Sequence, residues 1–259
     1  MINLSIDGNV AIITLDNPAT MNAFSDASAR QLSSTIDEAA QAARAIVLTG
    51  TGRAFSTGGD LTSEPEPHWI AKDGRMDAGI SLEEVFNPLA SRIRNSPVPI
   101  VTAVNGAAAG FGCTLALLGD IIVAGESASF IQAFCRIGLV PDGGSTYLLT
   151  RLLGKARATE MALLGEKITA ARAFEWGLVN RLVPDDALMP TALDIARGLA
   201  NGPASLGYIR QLMWDGLDAG WYEQGHAERV AQKQAGYSED FTEGVAAFRE
   251  KRKPVYRGR

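Results

Sequence analysis

The chain has 259 residues, 46% of them hydrophobic, with a formal net charge of −5 and two cysteines, enough to bury a large core in one or two domains. The acidic balance, broken only by the short basic run Arg249 to Lys253, excludes nucleic acid as the default partner. No apolar run reaches the ~18 residues of a membrane span, and the start at Met1 carries no secretory leader, so a cytoplasmic protein with no membrane partner is expected.

Ile2 to Ile6 and Val10 to Leu15 flank Asp7-Gly8-Asn9 and predict a hairpin. Asn17-Pro18 breaks the chain. Ser25 then caps a helix to Ala43, with Leu32, Ile36 and Ala39 at helical spacing. Ala45 to Thr49 reads as a buried strand that runs into Gly50 to Asp60, a glycine-rich turn. Leu61 to Gly79 reads as a loop, and Ser81 to Arg94 as a helix that Pro88 can kink.

Ile100 to Val104 is a strand. It passes through Asn105-Gly106, three alanines and Gly110-Phe111-Gly112 into a small-residue helix, Cys113 to Leu118. Strands follow at Ile121 to Ala124 and Ala128 to Ile131. Helices are expected at Gly143 to Leu153, Arg157 to Leu164 and Ala170 to Trp176, and a further strand at Leu178 to Val183. Helices fill the rest of the chain. The pattern gives an α/β core over 1–200 and a helical region over 201–259, with a loose strand–glycine–helix repeat starting at Ala45, Pro99 and Ala128. Cys113 and Cys135 both read as reduced packing residues in apolar surroundings.

The sequence contains no dinucleotide fingerprint, P-loop, nucleophile elbow or HExxH motif. Its two histidines, His68 and His226, lie in a Pro-rich loop and on a charged helix, which suits exposed positions better than a metal cluster or a Ser-His couple. Two glycine-rich turns remain, each at a strand end. Each aims backbone N–H groups that a following helix cannot use, and together they are able to hold one oxyanion.

Three segments carry a resemblance: AIVLTGTGRAFSTGGDL, PVPIVTAVNGAAAGFGCTLALLGDIIVA and IGLVPDGGSTYLLTRLLG. They resemble the signature segments of the crotonase superfamily, the enoyl-CoA hydratase/isomerase group. Asn17-Pro18 with Met21-Asn22-Ala23-Phe24, the Trp176-Gly177-Leu178-Val179 element and the C-terminal FTEGVAAFREKRKPVY extend the likeness over essentially the whole chain. The resemblance implies an α/β crotonase-like spiral of ββα units with a C-terminal helical trimerisation region, and assembly as a homotrimer or dimer of trimers. It implies an acyl-CoA thioester substrate with no separate cofactor and no metal. It also implies an oxyanion hole formed by the N–H groups of Gly59 and Phe111. Most relatives carry glycine at the second position; because only the N–H acts there, Phe111→Gly is expected to be tolerated. Thr57, Gly58, Asp60, Leu61 and Gly110 would line the substrate channel, and Ala23 its adenine end.

Hydratases of the superfamily carry one glutamate about a helical turn after the second donor, where this chain has Thr114. They carry another seven residues before the proline of the third segment, Pro141, where this chain has Phe134. Neither residue ionises near neutral pH, so the pair that adds water is missing. Asp142 follows Pro141. By pattern alone it is either the N-cap of the next helix or a base. The context resembles superfamily isomerases, closest to the ring-epoxide isomerase type of phenylacetyl-CoA degradation, and turns the reading toward a base. Burial by Phe134, Ile137, Leu139 and Val140 should then raise its pKa. An acyl-CoA isomerase is expected, with Asp142, Gly59 and Phe111 as the catalytic groups and Thr114, Phe134 and Pro141 at the substrate. The alternatives are a hydratase or hydrolase in which a carboxylate from Glu64, Glu66, Glu83 or Glu84 substitutes, and a non-catalytic acyl-CoA-binding relative.

Overall fold

A computed structural model describes residues 1–62 and 67–259, apart from the side chain of His68. β1 (Ile2–Asp7) and β2 (Val10–Leu15) form the antiparallel hairpin, and Ser25 caps α1 (Asp26–Ala42) through the N–H of Ser28. β3 (Ala45–Gly50), β5 (Ile100–Val104), β7 (Ile121–Gly125) and β10 (Arg181–Val183) extend this hairpin as parallel strands, giving the sheet order β1-β2-β3-β5-β7-β10.

A second sheet runs alongside. β4 (Ala54–Ser56), β6 (Ala107–Ala109) and β8 (Ser129–Ile131) are parallel, and β9 (Ile168–Thr169) closes the edge antiparallel to β8. The chain therefore repeats one step: a strand in the first sheet, a strand in the second, then a helix. The third unit begins at β7, so the segment at Ala128 is the second strand of a unit and not the start of one.

The helices complete each turn of the spiral. α2 (Ala78–Ser81), a π-helical turn over Leu82–Phe86 and α3 (Asn87–Arg94) follow β4. α4 (Phe111–Leu117) follows β6, and α5 (Ser145–Leu164) follows β8. The two helices expected between Gly143 and Leu164 are one run broken at Gly154, whose φ of 72° and ψ of 163° are not helical. α6 (Ala170–Glu175) and α7 (Leu188–Ala200) lead to α8 (Ser205–Asp215), α9 (Trp221–Gly236) and α10 (Glu239–Glu250). β10 is shorter than the strand expected from Leu178; the side chain of Asn180 takes the N–H of Ile122 instead and ends the ladder.

Both faces of the first sheet are buried at its central strands β3 and β5, which explains their unbroken apolar runs. Ile46, Leu48, Ile100 and Val104 enter the main core, which also holds α1, α3 and α4. Ala45, Val47, Val101, Ala103 and Val123 face the other way and are covered by Leu188, Ala192, Ala196 and Ala200 of α7. The C-terminal helices are fastened by Arg210, which is buried and bonds Asp120 at 2.7 Å and the carbonyls of Ile93, Arg94 and Ser96. Asp120 also accepts from the N–H of Ile100 and the indole of Trp214, which joins α8 to the sheet. Among the described residues no helix is long and apolar enough to cross a membrane. Cys113 is buried as expected. Cys135 is exposed, because the 3₁₀ turn Ala133–Ile137 that carries it lies on the surface.

Candidate active site

The two glycine-rich turns meet. Gly58 has φ +89°, and a Cβ built on it would stand 2.9 Å from the carbonyl oxygen of Ala109 and 3.0 Å from the nitrogen of Phe111. Only glycine gives both that backbone conformation and that approach. The first turn is held from two sides. The N–H of Phe24 donates to Gly58 O, and that of Asp60 donates to Phe24 O, each at 2.7 Å. Successive strand N–H groups alternate in direction, so these bonds on either side of Gly59 turn its own N–H the other way. Among the described residues that N–H has no acceptor, and Gly59 is exposed.

The second turn presents the N–H of Phe111 at the first position of α4, where no helical carbonyl reaches it. Gly110 before it has φ 53° and ψ −129°. Gly112 is forced by contact: a Cβ there would lie 2.1 Å from Ser56 O. The ring of Phe111 does not enter an open site. It is buried in the core, edge-on to Phe86 at 4.7 Å and to Phe24 at 6.1 Å, and it rests on Gly143. Phe111→Gly therefore empties a filled position and carries a stability cost that the expectation of tolerance did not include.

Two residues that sequence reasoning passed over hold the first turn. Ser56, fully buried, accepts from Gly58 N and donates to Asn22 O. Asn22 donates to the carbonyls of Thr51, Ala54 and Phe55 and accepts from Asn17 N. The Asn-Ala-Phe triplet was the signal for Asn22; Ser56 had none.

Asp142 is not a helix cap. α5 begins at Ser145 behind Gly144, which occupies the cap position in a left-handed conformation and makes no side-chain cap bond. Asp142 instead offers its backbone carbonyl to Ser145 N at 2.9 Å and to the Thr114 hydroxyl at 3.4 Å. Its Oδ1 is buried without any hydrogen-bond partner. Burial is the dominant influence on this carboxyl and pushes it up to about 7. The expected cause needs correction, since Ile137, Leu139 and Val140 are all exposed and only Phe134 is buried. The turn is pressed onto α4, where Gly143 meets the Phe111 ring and the Thr114 methyl.

The remaining positions divide between the turns. Phe134 lies over Gly110, and Thr114 is fully buried beneath Gly143, so both glutamate positions of the hydratases are occupied by closely packed, non-ionising side chains. Pro141 is half-buried beside Asp142. Thr57 bonds the carbonyls of Thr20 and Met21, and Asp60 accepts from the N–H and hydroxyl of Thr62. Ala23 and Asp60 share a cleft of about 180 Å³, and Leu61 is exposed. Phe86 is a core residue and Met76 is exposed. Glu83 and Glu84 both face solvent, with Glu84 3.7 Å from Arg30. Glu64 and Glu66 lie outside the described residues, as does the side chain of His68; His226 is exposed.

Residues 5–259 match the family model described as enoyl-CoA hydratase/isomerase. The chain belongs to this family. It is an enzyme of the crotonase type, a group that works on CoA thioesters. It is 41% identical over 258 residues to the 1,2-epoxyphenylacetyl-CoA isomerase of Escherichia coli K12, covering 98% of this chain and 97% of the relative. It is 34% identical to the 2,3-dehydroadipyl-CoA hydratase of the same organism, covering 96% of each. The crystal structure of an enoyl-CoA hydratase from Bacillus anthracis superposes with a TM-score of 0.90 at 29% identity, over 100% of this chain and 99% of that one. Isomerases and hydratases thus share this fold, and the reaction has to be argued from the site.

Proposed function

We propose that this member of the family is an acyl-CoA isomerase. The observation that carries the reading is Asp142, an ionisable group with a bare, buried carboxylate oxygen in a turn that packs onto α4 through Gly143, while Thr114 and Phe134 fill both water-handling positions. The thioester oxygen binds the N–H groups of Gly59 and Phe111. As a proton leaves the adjacent carbon, negative charge grows on that oxygen, and the two fixed donors stabilise it without reorganisation. Asp142 takes the proton and returns one at another carbon, shifting a double bond or rearranging a ring epoxide. A single carboxylate suffices, because the base that removes one proton becomes the acid that delivers one at the other carbon, after exchange with solvent. Thr57, Gly58, Leu61, Gly110 and Pro141 line the path of the thioester, and Ala23 its adenine end.

Phenylacetate degradation is the pathway that suits the similarity to the epoxyphenylacetyl-CoA isomerase, and a cytoplasmic place suits two cysteines outside any disulfide. The unit 1–200 carries the site, and 201–259 carries the surface for assembly as a trimer or dimer of trimers. The reading is tested by offering 2-enoyl-, 3-enoyl- and aryl-epoxide CoA esters in deuterated water. Isomerisation with deuterium entering at the α or γ carbon is expected, with negligible hydration. Hydration of 2-enoyl-CoA at ~1–10³ per second would overturn it, and binding without exchange would make the protein a carrier.

A further inference from the structure

The amide proposed as the second donor is mounted between two glycines. Neither Gly110 nor Gly112 has a side chain to pack and steady the peptide planes around Phe111. Gly110 has φ 53° and ψ −129°, a region that glycine populates freely and other residues avoid. The side chain that steadies this amide is the one on its own Cα. The Phe111 ring is 2% exposed and is packed on three sides.

Two of its neighbours lead to the other parts of the proposed site. Phe24 meets the ring edge-on, with centroids 6.1 Å apart and planes at 86°. The main chain of the same Phe24 forms an isolated parallel bridge with Gly59 and brackets it with two hydrogen bonds of 2.7 Å, to Gly58 O and from Asp60 N. Gly143 closes a second side: a Cβ there would stand 2.7 Å from Cε2 of the ring and 3.1 Å from the Thr114 methyl. Gly143 follows Asp142 directly, and the Thr114 hydroxyl donates to the Asp142 carbonyl at 3.4 Å. On the third side Phe86, from the π-helical turn, lies 4.7 Å away at 66° and backs the ring. One ring therefore touches the residue that holds the first donor, belongs to the residue that carries the second, and supports the turn that carries the proposed base.

We infer that the Phe111 side chain is a positioning group, whose ring sets the spacing among the Gly59 amide, its own amide and the Asp142 carboxyl. The inference rests on the donor and base roles proposed above. A wedged ring transmits position because a close-packed interior yields little, and the two donors act only when both stand within hydrogen-bonding distance of one oxygen. A smaller side chain leaves a gap that the surroundings fill only in part, and an amide between two glycines is the part with most freedom to shift. The buried ring meets no ligand, so its loss should weaken the chemical step and spare the holding of the CoA ester.

Two variants test this. Phe111→Leu keeps the amide and an apolar side chain but loses the ring; Phe86→Leu removes one support and leaves Phe111 in place. The readouts are kcat and KM for isomerisation of a 3-enoyl-CoA, and the infrared carbonyl stretch of bound phenylacetyl-CoA, isotopically labelled at the thioester carbonyl. In the wild type the stretch should lie below its value in solution, because two donors polarise the bond. In Phe111→Leu it should move back toward the solution value, with kcat lower by about ten- to a hundredfold and KM changed by less than about threefold. Phe86→Leu should move band and kcat the same way to a smaller extent, and it decides the matter if Phe111→Leu fails to fold. The band is read without turnover, so it separates the ring's role from the isomerase reading. A band in the wild-type place in the folded variants, with only the melting temperature lowered, would overturn the positioning role and leave the two donors intact. A wild-type band equal to that of the free ester would overturn the donors and the inference together.

Discussion

At Asp142 the physics gives opposite signs for activity and stability. The carboxyl titrates near 7 because burial disfavours its charge, whereas in the unfolded chain it titrates near 3.9. Between these values the folded protein keeps a proton that the unfolded chain has released, so stability falls as pH rises through this window and levels off above about 7. The penalty on the ionised form is on the order of 3–4 kcal/mol. Asp142→Asn, neutral throughout, should therefore melt several degrees above wild type at pH 8, and the gap should close toward pH 4. Its turnover should drop by ~10²–10⁴. The wild-type rate should rise from the acid side with one group near pH 7, absent from the Asn variant. Thermal melts at both pH values and a pH–rate profile check this; a near wild-type rate for Asp142→Asn would return Asp142 to a structural role. At Phe111 a pair of variants separates ring from backbone. Phe111→Ala and Phe111→Pro both lose the buried ring, worth about 3–5 kcal/mol. Only the proline loses the N–H, and it suits the first helical position otherwise. Turnover per folded molecule should differ between them by ~10²–10³.

At the scale of elements, the site depends on how closely α4 lies against β4. Gly112→Ala places a methyl 2.1 Å from Ser56 O, and neither main-chain segment can yield without moving a donor. Both stability and turnover should fall, with the KM of a thioester substrate rising; unchanged kinetics in a folded Gly112→Ala protein would show that the two turns move independently. The turns were legible in the sequence because glycines at strand ends have few other uses. The place of Asp142 was not, because cap and base share one pattern, Pro-Asp-Gly-Gly, and only the left-handed Gly144 at the cap position takes Asp142 out of the cap. The π-helical turn at Leu82–Phe86 was equally hidden. Its residues have ordinary helical spacing, and Pro88, which suggested a kink, sits harmlessly in the first turn of α3.

At the scale of the whole molecule, the C-terminal helices are incomplete. α9 is 16 residues long and buries none of them, and an isolated helix of that length is marginal in water. Trp221, Tyr222, Met213 and Phe248 are each more than two-thirds exposed. A groove of about 720 Å³ runs between α8, α9 and α10. Light scattering at micromolar concentration should give a mass three or six times the 27.5 kDa of the chain, and Trp221→Asp should shift it toward the monomer. A monomeric wild-type protein would contradict this assembly.

The main-chain nature of the two donors bears on how such an enzyme can diversify. No substitution at Gly59 or Phe111 except proline can delete an amide hydrogen, so under the proposed reaction the two donors survive most changes at those positions, while their placement depends on Gly58, Gly112 and the buried Phe111 ring. In the proposed reaction proton transfer belongs to one side chain, Asp142, beside the buried, non-ionising Thr114 and Phe134. Under that reading, change in the reaction is concentrated at positions 114, 134 and 142, while the glycines at 58 and 112 have almost no freedom to vary. A library randomised at those three positions samples new chemistry on an unchanged cradle, and one randomised at 58 and 112 should yield mostly misfolded protein.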